Sequence, residues 1–229
     1  LKFEALVMAG GKGSRMGICD IEKPMQIVGG KHTVMRVVEA LSNSSNISRV
    51  LVSVSDNTQE TEKYLREMGV EVLKTSGDDF MEDMHTAFSV MNGDYVLTCP
   101  SDLPLLQTYT VDAFIGYFKP EMESAIAVVD EDTVVNTGIK PSFTIDIEGK
   151  KWVLSGLCIS DRQKTLDGFY LNESYMMTDW VDLAINVNTP EELALSRGIM
   201  DSPSMIDKIT RCGECSCTVC ELPQEDHHR

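Results

Sequence analysis

Phe3-Glu4-Ala5-Leu6-Val7-Met8-Ala9, running straight into Gly10-Gly11-Lys12-Gly13-Ser14-Arg15-Met16-Gly17, is the stretch whose reading decides the fold. An apolar run that stops at glycines reads as a buried strand. The loop behind it holds four glycines in eight residues. Glycine permits positive φ and lets backbone N–H groups come close to an anion. Lys12 and Arg15 add fixed positive charge within the same turn. Two familiar phosphate loops fail on spacing. The P-loop needs a Lys-Ser or Lys-Thr after a suitably spaced glycine. The dinucleotide fingerprint needs G-x-G-x-x-G, whereas Gly11, Gly13 and Gly17 are spaced G-x-G-x-x-x-G.

Working outward, residues 49–55 (RVLVSVS), 70–75 and 95–99 are further strand patterns, the last stopped by Pro100. Helical patterns lie between them at 33–42, 58–68 and 80–91. The first carries Val34, Val37, Val38 and Leu41 at helical spacing. The third carries Met81, Met84, Ala87, Phe88 and Met91, a stripe expected to pack in the core. Strands alternating with helices imply right-handed crossovers and a mostly parallel sheet, with ligands at the carboxyl ends of the strands. The loops after Ala9, Ser55, Thr75 and Cys99 should therefore share one rim. Beyond Tyr117, residues 124–129, 142–147 and 152–159 read as shorter strands, 183–187 as another apolar run, and 190–200 as a helix. Thr189 is the expected N-cap, with Glu191 and Glu192 in the positive first turn. The expected architecture is an α/β first half and a mixed second half that returns to the sheet. The expected division is a domain over 1–200 and a cysteine-rich tail over 201–229.

Hydrophobic residues make up 42% and charged residues 24%, as in an ordinary soluble globular protein. No apolar run is long enough to span a membrane, and the start lacks the order of a signal peptide. A cytoplasmic location is expected. The net charge of −16 argues against nucleic acid as a partner, because phosphate backbones need a basic surface. Residues 1–31 nevertheless carry net +2, from Lys2, Lys12, Arg15, Lys23 and Lys31 against Glu4, Asp20 and Glu22, which leaves −18 for the remainder. A basic mouth on an acidic body suits a small anionic ligand.

Met8 through Gly17, followed by Glu22-Lys23-Pro24, resembles the signature of nucleotidyltransferases with a Rossmann-like, glycosyltransferase-A-type fold. These include the molybdenum-cofactor guanylyltransferases and the sugar-1-phosphate nucleotidylyltransferases. The resemblance implies that Met8, Ala9, Gly10, Gly11, Lys12, Gly13, Ser14, Arg15, Met16 and Gly17 wrap a triphosphate and that Lys23 contacts phosphate. Ser101-Asp102-Leu103-Pro104 stands where the family places a metal-binding aspartate. Ile185-Asn186-Val187-Asn188-Thr189-Pro190-Glu191 resembles its closing strand and loop, whose asparagine or aspartate completes a Mg²⁺ site. Asn188 is preferred to Asn186 because it lies nearer the turn. A hard cation that keeps waters is served by one carboxylate, an amide oxygen and phosphates.

Thr75-Ser76-Gly77 with Glu82-Asp83, and the segment 186–189, bring the chain nearest to the archaeal-type GTP:adenosylcobinamide-phosphate guanylyltransferases, a resemblance running from Phe3 to about Met200. It implies GTP as substrate and a phosphorylated cobinamide or similar small molecule as acceptor. Molybdopterin is the main rival acceptor. Sugar phosphates are disfavoured by the lack of glutamine-containing and Gly-Thr motifs and of a hexapeptide-repeat domain. Lys12, Arg15, Lys23 and Asp102 are then the catalytic set. Carbonyls near Ala9 and Ser55, the loop residues Ser76 and Gly77, or the Asp83 carboxylate are candidates to meet guanine. The partners expected are GTP, the acceptor and a second copy of the chain, with neither nucleic acid nor membrane. A reading from another class is a non-catalytic GTP-binding module with a metal- or redox-sensing tail, although such a module has little reason to keep Lys12, Arg15, Lys23, Asp102 and Asn188 together.

Seven cysteines in a cytoplasmic-looking chain argue against a disulfide framework. Cys212, Cys215, Cys217 and Cys220 form a C-x₂-C-x-C-x₂-C run. Its spacing matches neither the common zinc knuckles nor the ferredoxin pattern. Two readings stand, a zinc or iron–sulfur accessory site and a reduced, unstructured tail.

Overall fold

The computed structural model describes residues 1–17, 21–202 and 218–220. The chain begins with β1 (Phe3–Met8), a hairpin of β2 (Ile27–Val28) and β3 (Lys31–His32), α1 (Thr33–Ser42), β4 (Ile47–Val54), α2 (Gln59–Glu67), β5 (Glu71–Lys74), α3 (Phe80–Val90) and β6 (Tyr95–Pro100). It continues with α4 (Thr108–Tyr117), β7 (Ser124–Asp130), α5 (Glu131–Asn136), β8 (Thr144–Ile147), β9 (Lys150–Asp161), α6 (Arg162–Leu166), β10 (Glu173–Thr178), α7 (Val181–Ala184), α8 (Pro190–Met200) and β11 (Thr218–Cys220).

The main sheet has the order β11-β10-β7-β9-β6-β1-β4-β5, with β8 paired to β9. The four strands β5, β4, β1 and β6 are mutually parallel, and β7 is parallel to β10. Strand β9 runs antiparallel to both β6 and β7, and β11 antiparallel to β10. The result is the mostly parallel mixed α/β sheet that the alternating strand and helix patterns predict.

β1 is an interior strand with helices packed on both of its faces. Phe3, Ala5 and Val7 enter a large core with Val34, Val37, Val38 and Leu41 of α1 and Val111 and Phe114 of α4. Leu6 faces the other way, onto Ala87, Phe88 and Met91 of α3 and the chain just beyond it. A strand covered by helices on both sides reads as a continuous apolar run. The methionine stripe of α3 is only partly core. Met84 packs against that second cluster, but Met81 is 62% exposed and Phe80 60% exposed.

The structure departs from the sequence reading in several places. Residues 183–187 form no strand. Their first part closes α7, and the rest lies outside any strand with Ile185 and Val187 buried. Helix α4 carries no side-chain cap of its own, but the remote Asp182 accepts from the Gln107 N–H at 3.2 Å and the Thr110 hydroxyl at 2.5 Å. Strand β10, ESYMMT, is polar at its first residues and forms through parallel pairing with β7. Helix α8 begins as expected, with a capping box in which Glu192 N–H donates to the Thr189 hydroxyl at 3.2 Å and Thr189 N–H to Glu192 Oε2 at 3.0 Å.

Candidate active site

The strand order reverses at β1, which has β4 on one side and β6 on the other. In open α/β sheets the crevice at such a switch point is where ligands bind. Met8 is paired with Pro100, so the loops leaving β1 and β6 start side by side. Ser101 N–H donates to the Met8 carbonyl at 3.2 Å, and Ala9 N–H to the Ser53 carbonyl at 2.9 Å. Between these loops lies a cavity of about 240 Å³. Met8, Ala9, Gly11, Lys12, Gly13, Ser14 and Arg15 line it from one side, Lys23 and Pro24 from a second, and Pro100, Ser101, Asp102 and Asn188 from a third.

Three residues distant in sequence meet there. Lys23 Nζ donates to Asp102 Oδ2 at 2.5 Å and to Asn188 Oδ1 at 2.8 Å. Asp102 Oδ1 is buried and has no hydrogen-bond partner. Each of the three is held by backbone interactions. The turn that carries Lys23 is tied down by its neighbour Glu22, whose carboxylate accepts from Glu60 N–H at 2.9 Å, Thr61 N–H at 2.8 Å and the Thr61 hydroxyl at 2.6 Å. An anion across the first turn of α2 also meets the positive end of the helix dipole. The Thr33 hydroxyl donates to the Pro24 carbonyl at 2.9 Å from the other side. Val187 N–H donates to the Asp102 carbonyl at 2.9 Å, and Asn188 N–H to Glu192 Oε2 at 2.6 Å.

The glycine-rich loop is shaped by Gly13, at φ +61, where a side chain would be strained and would crowd the Lys23 stem at 3.3 Å. A 3₁₀ turn follows over Ser14–Met16. Met16 does not line the cavity. It is buried with Val28, Val187 and Leu193 and pins the far end of the loop. Gly10 and Gly17 also lie off the cavity wall. Lys12 pairs with Asp78 at 2.9 Å, both well exposed, which reaches across from the loop before α3. An exposed pair of this kind contributes little to stability and opens readily. Arg15 is exposed.

The remaining rim residues act on one another. Ser55 Oγ donates to the Gly10 carbonyl at 2.6 Å and so fixes the start of the loop. Asp83 does not offer its carboxylate to the cavity. One oxygen accepts from Ser76 N–H at 2.9 Å and the Ser76 hydroxyl at 2.8 Å, and the other from Gly77 N–H at 2.9 Å. Asp83, expected as a candidate to meet guanine, is buried, and its three hydrogen bonds hold the Ser76–Gly77 loop. Ser55, Ser76 and Gly77 are likewise absent from the cavity wall. Pro24, Pro100 and Ser101, which the sequence offers only as neighbours of Lys23 and Asp102, are on that wall too. Glu22 was visible only as the neighbour of Lys23, because its partners lie on α2.

Among the described residues, no group of three or more His, Cys, Asp or Glu side chains is placed to hold a metal ion. Asp102 and Asn188 offer one carboxylate and one amide oxygen, and the buried, unpartnered Asp102 Oδ1 is an acceptor suited to a hard cation. Cys212, Cys215 and Cys217 lie outside the described residues, and Cys220 ends β11, whose backbone pairs with Tyr175–Met177. Burial pushes the Cys99 thiol well above its ordinary value and the Cys158 thiol upward as well, so neither is a reactive thiolate. Among the described residues no helix is long and apolar enough to cross a membrane.

The family profile described as "MobA-like NTP transferase domain" matches residues 5–158. The chain belongs to this family. The transferase is 26% identical over 209 residues to the adenosylcobinamide-phosphate guanylyltransferase of Methanocaldococcus jannaschii, covering 86% of this chain and 97% of that protein. It is 25% identical over 206 residues to the molybdenum cofactor guanylyltransferase of Shewanella piezotolerans, covering 84% and 90%. In fold the transferase is similar to CMP:2-keto-3-deoxy-manno-octonic acid synthetase, with a TM-score of 0.64 at 14% identity over 88% of this chain and 99% of that one. A nucleotidyl transferase from Methanothermobacter gives a TM-score of 0.64 at 16% identity, over 87% and 97%. The protein is a nucleotidyltransferase, and the expected fold class holds.

Proposed function

We propose that the protein transfers GMP from GTP to adenosylcobinamide phosphate, giving adenosylcobinamide-GDP and pyrophosphate. The convergence of Lys23, Asp102 and Asn188 at one end of a cationic, glycine-rich loop is the observation that carries the reading. The guanylyl part is supported by the names of the relatives, and the acceptor by the cobinamide-phosphate relative, 97% of whose length the chain covers.

In this reaction an acceptor phosphate oxygen attacks the α-phosphorus of GTP, a new P–O bond forms, and the bond to the β-phosphate oxygen breaks as pyrophosphate leaves. A phosphomonoester is largely ionised at neutral pH, so no strong base is required. The difficulty is that an anion approaches an anion, and positioning with charge neutralisation lowers that barrier. Lys12, once released from Asp78, and Arg15 would hold the departing pyrophosphate. Lys23 would sit against the α-phosphate or the incoming acceptor phosphate. Backbone N–H groups of the loop would direct the triphosphate toward Asp102. Asp102 and Asn188 would hold Mg²⁺, which supplies Lewis-acid stabilisation of charge on the phosphate oxygens. Ser55 and Asp83 hold two loops that would flank the base.

The test is pyrophosphate release with Mg²⁺ from each of the four nucleoside triphosphates, offered adenosylcobinamide phosphate, molybdopterin or a sugar phosphate. Release from GTP with the cobinamide acceptor is expected. Release with molybdopterin alone moves the protein to the molybdenum-cofactor branch of the family. GTP binding without release on any acceptor sinks the enzymatic assignment of the acceptor class altogether.

A further inference from the structure

Lys23 places its ammonium on the two oxygens that the proposed function gives to a divalent cation: Asp102 Oδ2 at 2.5 Å and Asn188 Oδ1 at 2.8 Å. Its side chain is 18% exposed and that of Asp102 12%, so this pair is sheltered, unlike the open Lys12–Asp78 pair. The contact is anchored from both sides. Glu22 holds the lysine's turn on α2, and the Val187 and Asn188 N–H groups hold the opposite wall. The carboxylate is thus neutralised once, by an ammonium, and its other oxygen is left buried without a partner.

We infer that Lys23 is the resident cation of this position in the nucleotide-free enzyme, and that a divalent ion enters only as a triphosphate takes the ammonium away. The inference rests on the assignment of Asp102 and Asn188 as metal ligands. The physical reason is charge. A divalent ion brought beside the bound ammonium meets like charge in a sheltered place. Expelling the ammonium with no anion to receive it forfeits two charge-assisted hydrogen bonds. The triphosphate removes both obstacles, because its oxygens accept the ammonium and share the metal. Lys23 then has two successive partners, the carboxylate before nucleotide arrives and a phosphate after. Metal and nucleotide each raise the affinity of the other by the same factor, as linkage requires. The lysine also guards against a metal ion binding alone and sealing the cavity with the wrong charge.

The experiment measures Mn²⁺ binding to the full chain by the loss of the free-ion electron paramagnetic resonance signal, without nucleotide and with GTP, the loss caused by the same GTP without protein being subtracted. Wild type is expected to take up Mn²⁺ weakly alone and at least about tenfold more tightly with GTP. Lys23→Gln is expected to bind one Mn²⁺ per chain without nucleotide, at least about tenfold more tightly than wild type, and Lys23→Arg to stay like wild type. The double variant Lys23→Gln/Asp102→Asn should lose the gained site. If Lys23→Gln binds Mn²⁺ alone no better than wild type, the exchange is wrong while the metal assignment stands. If Asp102→Asn leaves Mn²⁺ binding with GTP unchanged, the metal assignment itself fails. Tight, nucleotide-independent Mn²⁺ binding by wild type that Asp102→Asn abolishes overturns the exchange without recourse to any lysine variant.

Discussion

Val187 donates its backbone N–H to the backbone carbonyl of Asp102 at 2.9 Å, and this bond helps to join the loop after β6 to the segment before α8. Because it uses no side chain, the carboxylate of Asp102 can be changed without parting the two walls. Asp102→Asn is expected to fold with stability near that of wild type and to lose nucleotidyl transfer by about a hundredfold or more. Thermal unfolding and pyrophosphate release, measured on one preparation, check the pair of outcomes. Normal turnover in the variant removes Asp102 from the catalytic set.

Glu22 touches no cavity wall, yet its three bonds to the start of α2 set where Lys23 stands. Glu22→Ala should lower kcat by about tenfold or more, since misplacing a positioned group by an ångström is costly. Glu22→Gln keeps an acceptor oxygen and should recover part of the loss. A change in KM alone, with kcat intact, would show that Glu22 serves binding rather than placement.

Arg15 is exposed, so Arg15→Ala should leave stability within about 0.5 kcal/mol of wild type. Its effect is expected in kcat/KM for the triphosphate, with Arg15→Lys restoring charge but not the two-pronged grip on phosphate. Steady-state kinetics on the three proteins decide this.

Asp182 is fully buried, and burial raises its carboxyl from 3.8 to about 6, against the lowering effect of its bonds to Thr110 and Gln107. Its folded value lies above its unfolded one, so the folded state holds the proton more tightly. This contribution to stability is full below about pH 4 and is lost as pH rises through about 6, on the order of 3 kcal/mol in total. Urea unfolding at a series of pH values should show the decline, and Asp182→Asn should flatten it. An unchanged profile in the variant assigns the slope to other groups.

Gly156 lies in β9 at φ +84, where an added Cβ would come within 2.9 Å of Pro100 Cγ, on the cavity wall. Gly156→Ala should cost about 1–3 kcal/mol and lower the melting temperature, through backbone strain and the displaced proline together. Equal melting temperatures would mean that β9 yields at this point.

The parts legible in sequence were those whose cause is local. The buried strand of 3–9, the valines of α1 and the Thr189–Glu192 cap announce themselves within a few residues. The glycine loop did so as well, down to the cavity-lining Lys12 and Arg15. What stayed hidden depended on remote partners. Helix α4 begins with the β-prone Thr108-Tyr109-Thr110 and takes its cap from Asp182. Residues 185–187 look like a strand because they are apolar, but their burial comes from closing the core beside Asp102. Asp83 carried the right chemistry for a base contact, and only the bonds from Ser76 and Gly77 show that it is already engaged.

The antiparallel course of β9 has a consequence for how strain spreads. It stands between the parallel set β5, β4, β1, β6 and the outer strands β7 and β10. It does not divide the core: Ala125, Ala127 and Val129 of β7 and Met176 of β10 belong to the same apolar cluster as Phe3, Ala5 and Val7 of β1. A change of side-chain volume in the outer strands is therefore felt on the strand that launches the glycine-rich loop.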